Sequence, residues 1–347
     1  MHAIRLHAFG PAENLTHETV EDPLPGPGEV RVAVAAAGVH LLDTALREGR
    51  EGGPIPLPQL PTVPGREIAG TVDALGEGTD PGWLGRRVVA HLGAVPGGYA
   101  ELAVVPADRL HPIPQKLTAA QAVAMIGTGR TTMGILLLAD LTACDVVLVT
   151  AAAGGIGSLL VQHARNAGAT VIGLAGGTTK AAWVRELGAD LAVDYTDADW
   201  PSLVRTFLDE RGVPGATLVF DSVGGDPGRA AVGLLAQGGR HLVFGWSSQG
   251  PPPRLKGAGG PPSGGPLEFT DDELAARGIT SEQVLGPPML ARAGGDNPIR
   301  TLETAALAEA AAGRLVPAVQ AFSLSEAAAA HRALETRGTI GKVVLVP

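Results

Sequence analysis

The stretch that decides the fold is DVVLVTAAAGGIGSLLVQHARNA, residues 145–167. It has the pattern of a buried strand, then a turn of small residues, then a helix. Ala152, Gly154 and Gly157 stand where a dinucleotide-binding turn needs small residues for the tight turn, the pyrophosphate and the contact between helix and strand. Backbone N–H groups at such a helix start favour an anion. We therefore expect a dinucleotide here, with a ligand-free glycine turn as the alternative.

The chain after this stretch alternates strands with helices. We expect strands at 145–150, 170–174, 191–194, 216–221 and 241–245, and helices at 157–167, 180–187, 201–210 and 228–235. Strands that alternate with helices of this length indicate a doubly wound parallel sheet. Residues 249–266, QGPPPRLKGAGGPPSGGP, are mostly Gly and Pro and predict a loop without regular structure.

The first 120 residues have a different pattern of short strands between turn signals. Alternation is clear at 29–39, and further strands are expected at 68–75, 87–92 and 99–105. Helical spacing begins at Thr118, which we expect to cap a helix. A helix at 298–313 and a strand at 341–346 end the chain. We therefore predict a β-rich domain from 1–120 and 287–347, and a Rossmann-type domain over 121–286.

Composition narrows the function classes. Cys144 is the only cysteine of the 347 residues, which excludes an intramolecular disulfide and a multi-thiolate zinc site. The net charge of −9 and the absence of a Lys/Arg block disfavour nucleic acid. The N-terminus lacks a secretory signal, and no run of about 18 apolar residues suggests a membrane span. A cytoplasmic enzyme fits these features.

The end of the second strand of the expected sheet indicates the type of cofactor. An NAD site usually has Asp or Glu there for the ribose hydroxyl. This chain has Gly176, Thr178 and Lys180 and no carboxylate at that strand end. Hydroxyl groups and a cation suit a 2′-phosphate, so we expect NADPH. For Lys180 alone, a solvated residue of the first helical turn is the alternative.

Several motifs in order resemble one known family. They are GVHLLD (38–43), GGYAE (97–101), AAGGIG (152–157), DSVGG (221–225), FG (244–245) and GTIGKVVL (338–345). They resemble the zinc-free quinone oxidoreductase, or zeta-crystallin-like, branch of the medium-chain dehydrogenase/reductase superfamily, over nearly the whole chain. The resemblance implies an α/β protein with a GroES-like β-rich catalytic domain, a Rossmann doubly wound domain, and a homodimer. For the dimer, the strand-like segment 279–285 is a candidate for pairing across a two-fold axis.

The resemblance also implies positions that contact the cofactor. Gly155 and Ile156 are expected at the pyrophosphate with Gly154 and Gly157, and Gly176, Thr178, Lys180 and Tyr195 near the adenosine phosphate. Phe244, Gly245, Trp246 and Leu285 are expected by the nicotinamide, with Arg337 as a further cofactor-facing residue.

The chain departs from its relatives at the acceptor site. Zinc-dependent relatives have Cys where this chain has His40, and His where it has Arg66. His40 and Glu67 are possible zinc ligands, but the cationic Arg66 opposes a divalent metal, so we expect no metal. The zinc-free branch usually has Asn at His40 and an aromatic residue at Ala45.

We expect hydride transfer from NADPH to a quinone or other α,β-unsaturated carbonyl compound. His40 is the best candidate for the proton donor, because histidine ordinarily has a pKa of about 6.5, and Asp43 would hold it. A packed or positioning role for His40 is the alternative. An enoyl-thioester reductase and an NADPH-binding protein with little turnover are the alternative functions.

Overall fold

The computed structural model describes residues 1–51, 55–245 and 270–347. The chain forms two compact units. The first comprises Met1–Gly129, Glu303–Gly313 and Pro317–Pro347, and the second comprises Arg130–Leu302 with Arg314–Val316. The Gly/Pro-rich loop expected at 249–266 lies outside the described residues.

Strands and helices follow one another along the described residues. The strands are β1 (His2–Leu6), β2 (Leu15–Thr19), β3 (Glu29–Val39), β4 (Glu67–Leu75), β5 (Arg87–His91), β6 (Leu102–Pro106), β7 (His111–Pro112), β8 (Val146–Val149), β9 (Thr170–Ala175), β10 (Leu191–Asp194), β11 (Ala216–Asp221), β12 (Leu235–Val243), β13 (Thr280–Gln283), β14 (Val319–Ser323) and β15 (Lys342–Val346). The α-helices are α1 (Leu41–Glu48), α2 (Ala119–Ala124), α3 (Arg130–Ala139), α4 (Gly155–Asn166), α5 (Thr178–Leu187), α6 (Trp200–Glu210), α7 (Gly225–Gly233), α8 (Asp271–Ala276), α9 (Pro287–Ala293), α10 (Pro298–Ala311) and α11 (Ala327–Glu335).

The first unit is built on a mixed sheet in the order β14-β15-β3-β4-β5-β7, with β6 also paired to β3. The long strand β3 organises this sheet: residues 29–33 pair with β6 and residues 37–39 with β15, both antiparallel. The first half of β3 buries every second side chain, as its alternating sequence predicts. Side chains such as Val32, Ile68 and Leu345 form the core of this unit.

The second unit contains a six-stranded parallel sheet in the order β10-β9-β8-β11-β12-β13. Numbered from β8, this order is 3-2-1-4-5-6, which defines the Rossmann fold. Every residue of β8 is buried, as expected for a strand covered on both faces. The order reverses between β8 and β11, and ligands of such sheets bind outside the carboxyl ends of the strands at this point.

Most of the expected elements are present, and two differences stand out. Helix α1 is an addition in a region that we expected to be β-rich, because its eight residues are too short for a clear helical period and His40 is not a preferred N-cap. Helix α7 begins at Gly225, three residues before the predicted start at 228. Thr118 caps α2 as predicted, and its hydroxyl accepts a hydrogen bond from the Gln121 backbone N–H.

A continuous helical segment joins α2 to α3. Its middle, Met125–Gly129, is a fully buried π-helical turn. By length and composition, Ala119–Ala139 is apolar enough to cross a membrane, contrary to our reading of the sequence. However, 72% of its most apolar window is buried inside the protein, as in the core helix of a globular domain.

Candidate active site and cofactor site

The turn after β8, which we call the glycine turn (Ala151–Gly157), connects the strand to the N-terminus of α4. Gly154 is the N-cap residue, so the first N–H groups of α4, from Gly155 onward, have no acceptor within the helix. A Cβ on Gly157 would lie 2.3 Å from the Ala151 carbonyl oxygen, so only glycine permits this close contact. The arrangement fits the pyrophosphate site expected from the sequence.

A network of buried side chains holds the glycine turn in place. The Thr150 hydroxyl donates to Asp221 Oδ1 at 3.1 Å and accepts from the Ser222 N–H at 2.9 Å. The other oxygen of Asp221 lies 3.3 Å from His241 Nε2. Burial alone would raise the pKa of Asp221, but hydrogen bonds from His241 and from the Gly224 N–H lower it. The turns after β8 and β11 are therefore fixed together.

Two of the residues expected at the adenosine phosphate, Gly176 and Tyr195, lie together at the ends of β9 and β10. A Cβ on Gly176 would lie 3.4 Å from the Tyr195 hydroxyl oxygen, so the phenol ring end lies against this glycine. Thr178 and Lys180 are in the first turn of α5, directly after the strand end. Asp194, which we did not predict, accepts a hydrogen bond from the Gly177 N–H at 2.8 Å and thereby holds the turn.

The residues expected at the nicotinamide follow β12 and β13. A Cβ on Gly245 would lie 2.5 Å from the Ser222 carbonyl oxygen, so Phe244–Gly245 runs beside the turn after β11. Leu285 is half-buried and follows β13 directly. Trp246 lies outside the described residues. Arg337 is an exposed residue of the first unit with φ of 55°, at the end of α11.

The first unit contains a group of interacting polar side chains that we call the polar cluster. Its members are His40, Asp43, Arg66, Glu67, Tyr99, His331 and Lys342. Its deepest part is Glu67, whose side chain is fully buried. Glu67 Oε1 lies 3.0 Å from His40 Nε2, and Oε2 lies 2.8 Å from Lys342 Nζ. The cluster thus contains a buried carboxylate between an imidazole and an ammonium group.

Two glycines make room for this carboxylate. A Cβ on Gly38 would lie 2.1 Å from Glu67 Oε2, and one on Gly127 would lie 1.5 Å from Oε1. Gly127 belongs to the π-helical turn, a distortion that often occurs at functional sites. Glycine at both positions therefore leaves the space that the Glu67 carboxylate occupies.

Within the polar cluster, Asp43 connects His40 to Arg66 and Tyr99. Its Oδ2 accepts hydrogen bonds from the His40 N–H at 2.8 Å and from the Tyr99 hydroxyl at 3.2 Å. Its Oδ1 lies 3.4 Å from Arg66 Nε. The Tyr99 hydroxyl is also 3.3 Å from His331 Nε2. Asp43 thus holds the backbone N–H of His40, the N-cap residue of α1.

Both ring nitrogens of His40 face carboxylates. Nε2 contacts Glu67, and Nδ1 is buried and lies 3.8 Å from Asp43 Oδ2. About 25% of the side chain remains exposed. Both nitrogens thus have a carboxylate neighbour that competes for their protons.

Burial and neighbouring charges shift the titration of the polar cluster. Burial would raise the pKa of Glu67, but His40 and Lys342 hold it well below its ordinary value. Burial lowers the pKa of Lys342, while Glu67 opposes that shift. Burial also lowers the pKa of His331 to about 4, against the attraction of Asp43. Burial and the carboxylate of Asp43 raise the pKa of Tyr99 well above its ordinary value.

Sequence reasoning missed Tyr99, His331 and Lys342 as members of the cluster. Tyr99 and Lys342 lie in motifs that resemble the family, GGYAE and GTIGKVVL. Nothing in those motifs indicates that they contact residues 40–67, since Lys342 and Glu67 lie 275 positions apart.

The fold and the two sites define a class: an α/β oxidoreductase with a GroES-like unit and a Rossmann unit that binds a dinucleotide. Residues 26–115 match the model of the alcohol dehydrogenase GroES-like domain, and residues 155–259 match that of the zinc-binding dehydrogenase domain. The chain is 32% identical to a 2-haloacrylate reductase from Burkholderia sp, with 99% of this chain and 98% of that protein covered. It is 31% identical to a quinone oxidoreductase from Pseudomonas aeruginosa, with 99% of each covered.

A solved structure of Escherichia coli quinone oxidoreductase complexed with NADPH superposes with a TM-score of 0.80 at 26% identity, with both chains fully covered. The chain therefore belongs to the quinone oxidoreductase-like proteins of the medium-chain dehydrogenase/reductase superfamily. This confirms the expected family, fold class and oxidoreductase activity. NADPH, the expected cofactor, is the one bound in that relative.

Proposed function

We propose that the protein is a zinc-independent, NADPH-dependent reductase of quinones or other α,β-unsaturated carbonyl compounds. The observation that carries this proposal is the glycine turn at the switch point of the parallel sheet, with Gly176, Lys180 and Tyr195 at the neighbouring strand ends. The residues fit NADPH: helix N–H groups at the glycine turn suit the pyrophosphate, and a cation with hydroxyl groups at the neighbouring strand ends suits the 2′-phosphate.

When bound, NADPH supplies a hydride for a conjugated acceptor, and the chain's own residues hold both partners in place and exclude water. We propose Gly154–Gly157 for the pyrophosphate, and Phe244, Gly245, Trp246 and Leu285 for the nicotinamide. His40 and Asp43 would shape the acceptor site in the first unit, and Arg337 remains a proposed cofactor contact.

The direct test is NADPH oxidation with a panel of quinones, enones and enoyl thioesters. We expect turnover with quinones or enones above that with enoyl thioesters. Turnover restricted to thioesters would favour a biosynthetic reductase instead. Tight NADPH binding without turnover on any acceptor would favour a binding protein.

Cofactor preference tests the adenosine end of the site. NADPH should be preferred over NADH, and Lys180→Ala should reduce kcat/KM for NADPH by about tenfold or more with little effect on NADH, since only NADPH has the 2′-phosphate. Arg205→Ala, on α6, is the matched control. Equal kcat/KM for the two cofactors in the unaltered protein would contradict the assignment.

The proposal that the protein needs no zinc rests on the side chains next to the possible zinc ligands. Of the possible ligands, Glu67 already has Lys342 Nζ 2.8 Å from one oxygen, and Arg66 stands beside Asp43. Two cations next to these carboxylates do not fit a divalent metal. Metal analysis should find no stoichiometric zinc, and a chelator should leave the rate unchanged. One zinc per chain with chelator-sensitive activity would refute this.

For His40 we propose a positioning role, because both ring nitrogens face carboxylates. His40→Asn should then change KM modestly on an enone and leave the pH profile unaltered. A loss of about 10²–10⁴-fold in kcat together with loss of the pH dependence would instead show a general acid.

We further propose a cytoplasmic homodimer. The support is the family and the position of β13, which ends the order of the parallel sheet and, among the residues that the structure describes, has no partner strand on its outer edge. Light scattering at micromolar concentration should give a dimer mass, and a monomer mass would contradict it.

A further inference from the structure

A row of four polar side chains crosses the parallel sheet of the second unit close to the carboxyl ends of its strands. The row, which we call the strand-end row, consists of Thr150, Asp221, His241 and Ser281, each hydrogen-bonded to the next. Thr150 follows β8, and the other three belong to β11, β12 and β13, so the row spans four neighbouring strands. The first three residues are buried, whereas Ser281 is exposed on the last strand of the sheet order.

The hydrogen bonds at the outer end of the strand-end row have a defined direction. Because the pKa of Asp221 lies below its ordinary value, its carboxylate is ionised at neutral pH and only accepts hydrogen bonds. The His241 Nε2, 3.3 Å from Asp221 Oδ2, is therefore the ring nitrogen that carries hydrogen. In the neutral imidazole, Nδ1 then accepts from the Ser281 hydroxyl, 2.9 Å away. Ser281 thus favours the tautomer of His241 that donates to Asp221.

Asp221 connects His241 to the turn after β11, residues 222–224. Its Oδ1 accepts hydrogen bonds from the Val223 N–H at 2.9 Å and from the Gly224 N–H at 3.0 Å. Among the residues that the structure describes, His241 is the one donor to Oδ2. Without this donor, the carboxylate could rotate about its Cβ–Cγ bond, and its hydrogen bonds to the turn would weaken. His241 therefore fixes the turn through Asp221.

The turn after β11 packs against the segment that we propose for the nicotinamide. The Phe244 N–H donates to the Asp221 carbonyl oxygen at 2.8 Å. A Cβ on Gly245 would lie 2.5 Å from the Ser222 carbonyl oxygen, so the two backbone segments are closely packed. A displacement of residues 222–224 would therefore displace Gly245 as well.

We propose that His241, held by Ser281, is a positioning residue for hydride transfer from NADPH. It acts through Asp221 and the turn after β11, and its buried side chain touches neither cofactor nor acceptor. The proposal rests on the proposed nicotinamide site at Phe244–Gly245. Because hydride transfer depends steeply on the alignment of donor and acceptor, a small displacement of this site lowers kcat. The pyrophosphate, proposed at the glycine turn, depends less on His241.

The kinetic test measures NADPH oxidation with a quinone in three variants. His241→Phe keeps a ring but removes the donor, and should lower kcat by about tenfold or more while changing KM for NADPH less than about threefold. His241→Gln should recover most of kcat, because its amide nitrogen can donate to Asp221. Ser281→Ala should lower kcat by about two- to fivefold, since the imidazole stays in place without its tautomer being selected.

His111→Phe is the matched control for the loss of a buried histidine. The His111 Nε2 lies 3.0 Å from Glu303 Oε2 in the first unit, so this variant also breaks a buried pair of imidazole and carboxylate. It should lower the thermal midpoint, as His241→Phe does, but leave kcat and KM unchanged. A fall in kcat as large as that of His241→Phe would attribute both effects to general destabilisation and overturn the positioning role.

Hydrogen exchange in the protein without cofactor tests the same inference without turnover. Peptides that cover residues 221–225 should exchange about tenfold faster or more in His241→Phe, and close to the unaltered rate in His241→Gln. Ser281→Ala changes an exposed residue, so it remains a folded test if His241→Phe does not fold, and it should show a smaller increase in the same peptides. Exchange at 221–225 that is unchanged in the folded variants, or a His241→Gln variant as impaired as His241→Phe, would overturn the role of His241.

NADPH binding separates this inference from the reductase proposal. Calorimetry should give dissociation constants for NADPH within about threefold of the unaltered protein in His241→Phe and Ser281→Ala, because the pyrophosphate site is retained. Loss of NADPH binding in these variants, with residues 221–225 exchanging normally, would contradict the positioning of the nicotinamide side alone. Failure of the unaltered protein to reduce any quinone or enone, with the expected exchange pattern, would count against the reductase proposal and leave the role of His241 in the turn supported.

Discussion

The glycine turn and the polar cluster are built in opposite ways. The glycine turn uses backbone N–H groups and small residues that are consecutive in the chain, Ala151–Gly157. The polar cluster uses charged side chains from distant positions, with Glu67 held between His40 and Lys342. A local site can be recognised from one motif, whereas a cluster of long-range pairs exists only once the chain has folded.

The largest expected effect comes from breaking the buried Glu67–Lys342 pair. Glu67→Gln or Lys342→Met should each reduce the free energy of unfolding by about 3–5 kcal/mol, because the partner stays buried and uncompensated. The double variant should lose less than the sum of the two, as measured by urea unfolding.

The partly exposed pair of Arg31 and Asp73 is the control for the Glu67 and Lys342 variants. Asp73→Asn should cost less than about 1 kcal/mol, because both side chains are partly exposed. If the buried single variants cost no more than this control, the polar cluster would not be held by charge pairing.

The second effect concerns the pH dependence of stability. His331 has a pKa of about 4 in the fold against an ordinary 6.5, so the unfolded chain binds more protons between these values. Stability should therefore fall by up to about 3 kcal/mol as the pH drops from 6.5 to 4. The carboxylates with lowered pKa lose their contribution mainly below their ordinary values of 4.5 or 3.8.

His331→Gln should flatten this slope, measured as the thermal midpoint against pH. His7→Gln is the control, because the His7 side chain is 54% exposed. A slope in His331→Gln as steep as in the unaltered protein would show that another group causes the acid sensitivity.

Sequence reasoning succeeded where the signal is local. The glycine turn, the strand-end glycine Gly176 and the Thr118 cap could be predicted because backbone geometry dictates their residue types. The parallel sheet followed from the alternation of strands and helices. Arg66 was noticed only as a departure from relatives, and its contact with Asp43 required the fold to be seen.

The remaining features could not be predicted for physical reasons. Helix α1 is too short for its period to be recognised, and Asp43 in its first turn is held by contacts with Arg66 and Tyr99. His331 and Lys342 meet the N-terminal part of the chain because β15 pairs with β3. Such pairing depends on topology, which no local pattern specifies.

The third prediction tests the glycine turn itself. Gly157→Ala should cost about 1–3 kcal/mol and weaken NADPH binding about tenfold or more, because its methyl group would overlap the Ala151 carbonyl oxygen. Gly233→Ala on α7 is the matched control, since no atom lies within 4 Å of its added Cβ. It should be neutral or slightly stabilising. Normal NADPH affinity in Gly157→Ala would show that the turn tolerates displacement.

The smallest effect is expected from removing the hydroxyl of Thr150, the side chain that supports the glycine turn. Thr150→Val keeps the shape of the residue but removes the hydroxyl that joins Asp221 to the Ser222 N–H. Asp221 Oδ1 still accepts from the Val223 and Gly224 N–H groups, so only the Ser222 N–H loses its partner. The loss should be about 1–2 kcal/mol in urea unfolding, with a smaller change in NADPH affinity. Thr150→Ser retains the hydroxyl and should keep most of the stability. A Thr150→Val variant that loses as much stability as Glu67→Gln would mean that the glycine turn relies on long-range side chains as much as the polar cluster does.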